Sequence, residues 1–589
     1  MTIRASRFGV GPWLVSLALG FCACHDGAPR SVPTPVAPPA SVAPTSATPP
    51  SEVARSARGM VVSDEARATA VGRDVLARGG NAADAAVALA FALAVTFPTA
   101  GNIGGGGFAV ASVGGKAHAL DFRETAPGRA TRDMYKGKDG KPTEDAQLGI
   151  RSAGVPGAVA GLYELFVKLG SGTIPFRELV APAVALARDG FVVDRAFLET
   201  LERGGDRLRT HPASSALYFP GGKPPELGST FRNARLAETL ERIGREGPRG
   251  FYEGETARAI AEQMKAEGGL VTLDDLSGYR AKWRTPIETR YRGRTVVTMP
   301  PPSSGGVTLA MMTHILEAYD LGKLGYGTAE TTGLVAEAMR RAFAARNAKL
   351  GDPDFVKIDT ATLLSDAWAN EQRKTITLGR ATPSSAIPSG PSEPSAPHTT
   401  HFSVVDARGD AVSLTTTINF WFGSGVTVEK AGFLLNDEMD DFAAVPGAPN
   451  GFGLVQGELN AIAPGKRMLS SMTPTIVRDA DGRIELVLGA AGGPTIITAV
   501  LQELVDVVDH GRTIVDAVAA PRIHMQHLPD RVDHEPRSFD ASTRERLLGM
   551  GYVLGERPRI ADAPAIGRLG GVWVGVAEPR RLGGAAAGP

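Results

Sequence analysis

The hydrophobic rhythm of the chain changes abruptly at Thr399. Residues 399–406 (TTHFSVVD) and 411–419 (AVSLTTTIN) are rich in β-branched and aromatic side chains and are separated by the turn residues Ala407, Arg408, Gly409 and Asp410. Such residues fit a pleated surface, so the pattern predicts a β-hairpin with a threonine at its first position. The eighteen residues before it, 381–398 (ATPSSAIPSGPSEPSAPH), carry five prolines and offer neither backbone donors nor apolar mass for a packed element. They read as a mobile surface loop. Upstream, residues 64–78 read as a helix closed by Gly79 and Gly80, with Asn81 capping an alanine-rich helix that runs to about Val95. Weaker helical periodicity recurs near 156–169, 232–244, 254–267 and 307–320, and 360–379 is helical or mixed. After Thr399 the pattern is mostly strands, with one further helix near 495–508. Hairpins flanked by helices on either side predict a layered α-β-β-α sandwich of the α+β class.

A flexible loop that ends at a threonine on a rigid strand suits self-cleavage. The Thr399 hydroxyl can attack the His398 carbonyl, and hydrolysis of the resulting ester cuts the chain. Thr399 then owns a free α-amino group beside its own Oγ, with an unperturbed pKa of about 8, fit to act as general base. An ordinary threonine-rich strand edge is the competing reading of the same residues.

Further segments decide between the two. TTHFSVVD, TTTINFWFGSG (415–425), FLLNDEMDDF (433–442), MLSSMTPT (468–475) and LGAAGGP (488–494) resemble, in order and spacing, the gamma-glutamyltransferase family of N-terminal-nucleophile hydrolases. GNIGGGGF (101–108), LDFRETAP (120–127), VPGAVAG (155–161) and MPPPSSGG (299–306) resemble it too, so the likeness covers roughly residues 57 to 580. It implies the four-layer fold, cleavage between His398 and Thr399 into a large subunit (57–398) and a small one (399–589), and a heterodimer of the two. It also implies donors such as glutathione and acceptors that are water, amino acids or dipeptides.

Residue by residue, the resemblance assigns Thr399 as the nucleophile and Thr417 as a hydroxyl that orients it. Gly492 and Gly493, just after the strand-like IELVL, offer two backbone N–H groups for an oxyanion. Arg123 with Ser470 and Ser471 suits the α-carboxylate of a glutamyl substrate, and Asn419, Glu438 and Asp441 suit its ammonium. By composition alone, the acidic tract of Asp437, Glu438, Asp440 and Asp441 reads as a solvated turn. In the lid-like stretch 446–455, Phe452 stands where some relatives carry tyrosine. The alternatives are a glutaryl-type acylase on the same scaffold, whose substrate lacks the α-amino group, and a silent glutamyl-peptide-binding protein.

Composition narrows the partners. Lys+Arg and Asp+Glu are both 63 over 589 residues, so no basic surplus exists to grip nucleic acid. The glycine run 101–107 lacks the Lys-Ser/Thr of a phosphate loop and reads as a tight backbone passage beneath the site. With no HExxH or CxxC pattern, the sequence predicts neither metal nor cofactor. The two cysteines, Cys22 and Cys24, follow Arg4, Arg7 and an apolar run from about Phe8 to Ala23, the pattern of a signal peptide (1–24). A Pro/Ala/Ser/Thr-rich spacer (25–56) follows. Cys24 fits a lipid-bearing cysteine, although Phe21 departs from the usual leucine there, and simple secretion competes with the anchor. The expected location is the periplasm or cell envelope.

Overall fold

Along the strand Thr399–Val405, Phe402 and Val404 point into one apolar core while Val405 points into another, and in Ala411–Thr417 the pairs Val412 with Leu414 and Ala411 divide the same way. This period-two division means that the hairpin sits in a sheet covered on both faces. The computed structural model describes residues 52–387 and 399–589. The signal segment, Cys24 and residues 388–398 of the predicted loop lie outside the described residues; the loop's first part, 381–387, is instead fastened to the body, with Ala381 N donating to Met550 O at 2.8 Å and the buried Ser384 donating to His527 O at 2.6 Å.

Two seven-stranded antiparallel sheets lie face to face. In spatial order the first comprises Ala585–Ala587, Met60–Ser63, Thr399–Val405, Ala411–Thr417, Gly106–Val113, Lys116–Asp121 and Lys282–Arg284. The second comprises Val53–Ser56, Val572–Val576, Ala565–Leu569, Ile484–Leu488, Thr475–Arg478, Arg294–Thr298 and Ile287–Tyr291. Polar bridges cross between the sheets: Ser413 Oγ donates to Leu488 O at 2.7 Å and accepts from Thr475 N at 3.0 Å. Helices that include Ala66–Ala77, Ala82–Thr96 and Ala158–Leu169 cover the outer face of the first sheet. Gly305–Leu316, Ala329–Lys349 and Thr495–Val508 pack in the core shared with the second. The result is the α-β-β-α sandwich that the pattern predicts.

Strands from before residue 388 and after residue 398 pair with one another in both sheets. Thr399–Val405 pairs with Met60–Ser63, Ala411–Thr417 with Gly106–Val113, Thr475–Arg478 with Arg294–Thr298, and Val53–Ser56 with Val572–Val576.

The helix of residues 81–95 appears as Ala82–Thr96, with Asn81 closing a capping box with Asp84. Gly254–Glu267 and Thr495–Val508 match their sequence ranges, whereas the 307–320 signal is displaced to Gly305–Leu316 and 360–379 splits into Thr360–Leu363 and Asp366–Lys374. The spacer boundary is corrected: Val53–Ser56, assigned to the spacer, form an edge strand paired with Val572–Val576. Half of their side chains face solvent, so their composition resembles a linker. The helix Ala329–Lys349 escapes sequence periodicity because it is buried almost all round, with Glu337, Arg340, Arg341 and Arg346 inside rather than on a wet face. Among the described residues, no helix is long and apolar enough to cross a membrane.

The glycine run lies against the return strand with no room for side chains. A Cβ on Gly105 would sit 2.0 Å from Thr417 O, and one on Gly107 would sit 2.3 Å from Thr415 O. Gly105→Ala is therefore expected to destabilise the protein by about 1–3 kcal/mol and to slow any maturation at Thr399. Thermal melting and a denaturing gel check it, and a variant that melts and matures like the wild type would refute the steric account.

Candidate active site

The hairpin register sets Thr399 directly opposite Thr417. Met60–Ser63 pairs only with residues 402–405 on the other side, so that flank of Thr399 is left open by the sheet. The two hydroxyl oxygens stand 3.4 Å apart. Thr417 Oγ also accepts the Asn419 backbone N–H at 2.8 Å. Asn419 has a left-handed backbone (φ 79°), and its amide nitrogen donates to Asp437 O at 2.9 Å. Its side-chain oxygen is thereby kept as an acceptor.

One small cavity gathers Arg123, Thr399, Thr417, Asn419, Glu438, Asp441, Ser470, Ser471 and Gly493. Gly492 lines the neighbouring cavity, beside Trp421 and Arg559. Both glycines have positive φ, 138° and 58°, which turns the chain sharply from Ile484–Leu488 into Thr495–Val508. Neither N–H has a hydrogen-bond partner among the described residues. Two donors thus meet at the end of the strand, beside the N-terminus of a long helix.

Phe452 covers one side and stacks on Phe420, with centroids 4.9 Å apart and planes 9° apart. The loop behind it is fastened: Gly451 N donates to Asp440 at 3.0 Å, and Gln526 reaches Gly453 O at 3.4 Å.

The acidic tract is not a solvated turn. Asp437, Glu438, Asp440 and Asp441 are all buried, the last three in the short turn Glu438–Asp441. Asn436 anchors that turn by spending its whole amide: Oδ1 accepts from Gly154 N and Glu438 N, and Nδ2 donates to Gly104 O and Gly154 O. It ties the acidic tract, the glycine run and Gly154, just before the 155–161 segment, together. Asp437 accepts from Phe420 N at 3.1 Å and from Arg207 at 2.6 Å, and burial raises its pKa to about 7.

Arg123 is fully buried and donates to both Glu438 and Asp441, with Glu124 Oε2 3.7 Å away. Three carboxyl groups thus surround one guanidinium. Glu124 has no hydrogen-bond partner on either oxygen, and Glu438 Oε2 has none. Burial pushes Glu124 up to about 8 despite Arg123, and lifts Glu438 well above the carboxylate range. The arrangement is a polar receptacle in which Glu124 keeps its proton at neutral pH and Arg123 faces Glu438 and Asp441.

Sequence reasoning missed Glu124, Asn436 and Asp437, which stand beside residues it named, and Ser304 and Arg346 behind the serines. Ser304 lies within the quoted MPPPSSGG segment; Arg346 carried no local signal.

Comparison with known proteins places this geometry. The family model described as gamma-glutamyltranspeptidase matches residues 68–588. The chain belongs to that family. A glutathione hydrolase proenzyme of Escherichia coli (strain K12) is 44% identical over 540 residues, covering 91% of this chain and 92% of the relative. The solved gamma-glutamyltranspeptidase of Helicobacter pylori is 41% identical with a TM-score of 0.54, covering 55% of this chain and 93% of that one. A solved cephalosporin acylase from Bacillus halodurans superposes with a TM-score of 0.80 at 27% identity, covering 94% of this chain and 99% of that one.

The unpartnered Glu124 carries a pH prediction. Its folded pKa of about 8 exceeds the ordinary 4.5, so the folded state binds the proton more tightly and stability from this group falls as pH rises between those values. Glu124→Gln is expected to gain thermal stability relative to wild type as pH is raised from about 5 to about 9. A melting-temperature difference that does not change with pH would contradict the burial argument.

Proposed function

We propose that the protein matures by cutting itself between His398 and Thr399 and then acts as a gamma-glutamyltransferase and glutathione hydrolase. The observation that carries the reading is the single cavity in which Thr399, the Gly493 N–H, a buried arginine, two serine hydroxyls and two carboxylates converge. Its family membership supports it further.

In this account the free α-amino group of Thr399 takes the hydroxyl proton as Oγ attacks the γ-carbonyl of the donor. The N–H groups of Gly492 and Gly493 stabilise the tetrahedral oxyanion. Collapse breaks the amide bond, the α-ammonium returns the proton to the departing amine, and a γ-glutamyl ester stays on Thr399. Water or an acceptor amine attacks that ester and restores the enzyme. Thr417 keeps Thr399 oriented through its hydroxyl.

Recognition of the donor proceeds by exchange of partners. Arg123, now satisfied by Glu438 and Asp441, turns to the α-carboxylate of the ligand together with the Ser470 and Ser471 hydroxyls. The ligand ammonium goes to Asp441, Glu438 and the Asn419 side-chain oxygen. Opposite charges replace one another, so no buried ion is left unpaired. Phe452 closes the cavity with an apolar face and no hydroxyl. The protein is exported, with Cys24 as its lipid anchor; Cys24→Ser is expected to release it from membranes or to trap the precursor, and a soluble wild type would remove the anchor alone.

Maturation is tested by sequencing the smaller fragment, which is expected to begin TTHFSVVD. Thr399→Ala is expected to stay a single inactive chain, because self-attack and acyl transfer need the same Oγ. An active full-length protein would overturn the mechanism.

The acylase reading draws on the Bacillus halodurans likeness, and Asp441 separates the two. Asp441→Asn is expected to lose about 2–5 kcal/mol of transition-state binding on γ-glutamyl-p-nitroanilide while still maturing. It should gain on a glutaryl anilide relative to wild type. A wild type that prefers the glutaryl compound would establish the acylase instead.

A further inference from the structure

A second guanidinium stands behind the two serines. Arg346, near the end of Ala329–Lys349, is 0% exposed, and no carboxylate lies within ion-pairing distance of it among the described residues. Its donors go to neutral oxygens: Nε to Ser304 Oγ at 2.9 Å, Nη1 to Asn347 Oδ1 at 2.9 Å and Nη2 to Ser471 Oγ at 3.1 Å. Ser304 in turn donates its hydroxyl to Ser470 O at 2.5 Å, and its backbone N–H reaches the same oxygen at 2.7 Å. One cation therefore holds Ser471 directly by its hydroxyl and reaches the Ser470 main chain only through Ser304.

These contacts settle which way the hydroxyls act. Ser471 Oγ receives Arg346, and Ser470 Oγ receives the Met472 N–H at 3.1 Å. No acceptor for either hydroxyl hydrogen exists among the described residues, so both are available to a ligand that accepts. The charge budget points the same way. Arg123 is met by two carboxylates, whereas burial pushes Arg346 down to about 10 with the nearby Asp441 opposing, which leaves it charged at neutral pH and uncompensated by contact. A buried cation without a paired anion is costly unless an anion arrives.

We propose that Arg346 is a positioning and specificity-determining residue that, through Ser471 and the Ser304–Ser470 link, makes the cavity select donors bearing a carboxylate on the carbon next to the amino group. The proposal rests on the γ-glutamyl reading of the site. Arg346 itself never touches the ligand. It polarises the Ser471 hydroxyl, holds both serines in donor orientation, and supplies the positive field that the neutralised Arg123 lacks in the empty cavity.

The test compares γ-glutamyl-p-nitroanilide with 4-aminobutyryl-p-nitroanilide, which has the same reacting bond and amino group and lacks the α-carboxylate. Arg346→Gln is expected to raise KM for the γ-glutamyl compound about tenfold or more while kcat changes by less than about threefold. Its parameters on the 4-aminobutyryl compound should stay as in wild type, so the preference between the two shrinks. Arg346→Lys is expected to restore the preference near neutral pH and to lose it as pH rises, because a buried ammonium gives up its proton more readily than a guanidinium. Ser471→Ala should reproduce the KM effect and add little to Arg346→Gln, which keeps the test open if the glutamine variant folds poorly. Equal losses on both substrates, or full additivity with Ser471→Ala, would reduce Arg346 to a structural role and overturn the proposal. A wild type with no preference for the γ-glutamyl compound would overturn the γ-glutamyl reading and this inference with it, whereas a strong wild-type preference retained by every variant overturns the inference alone.

Discussion

The backbone-to-backbone approach between the glycine run and the return strand is the constraint on which the site depends. Because Gly105 and Gly107 present no side chain, the strand Ala411–Thr417 lies hard against Gly106–Val113 and its neighbouring turn, with carbonyls where Cβ atoms would otherwise be. That contact fixes Thr417, the register of the hairpin fixes Thr399 opposite it, and Asn419 turns the chain with positive φ toward Asp437. From there Asn436 ties the acidic turn to Gly104. A single dense contact thus positions the hydroxyls, the amide and the carboxylates relative to one another.

Charge is arranged around that frame with deliberate asymmetry. Three carboxyl groups crowd Arg123, and Arg346 has none in contact. Burial in place of solvation pushes both Glu124 and Glu438 upward, Glu124 to about 8, while Glu438 and Asp441 are paired with Arg123. A zwitterion suits such a receptacle better than a simple anion or cation, since each of its charges finds a partner already desolvated and oriented. The interleaving of strands in both sheets adds a second consequence: cutting the chain before Thr399 breaks one covalent bond and leaves five strand pairings between the two pieces, in the middle and at the edge of the sheets.

Much of this was legible where the signal is local. The hairpin at Thr399, the Asn81 cap and the glycine passage follow from residue types within a few positions of one another. Arg123, Glu438, Asp441, Ser470 and Ser471 were legible through their motif segments, and the fold brings them to one cavity although hundreds of residues separate them. What periodicity could not show is burial of charge. Ala329–Lys349 gives no periodic signal and is an inner helix, the acidic tract looks like a wet turn and is enclosed, and Val53–Ser56 looks like linker and is an edge strand. Arg346 belongs to the same class, because nothing in its neighbours along the chain tells that its partners are Ser304 and Ser471.

The central claim, that a glutamyl group passes through an ester on Thr399, is tested most directly by trapping that ester. Purified protein mixed with a γ-glutamyl donor and quenched in acid within the first turnover would be digested and analysed by mass spectrometry. The account predicts one γ-glutamyl group on the peptide whose first residue is Thr399, removed by hydroxylamine as an ester should be. A γ-glutamyl group on any other residue, or turnover with no adduct on a fragment that begins at Thr399, would contradict it.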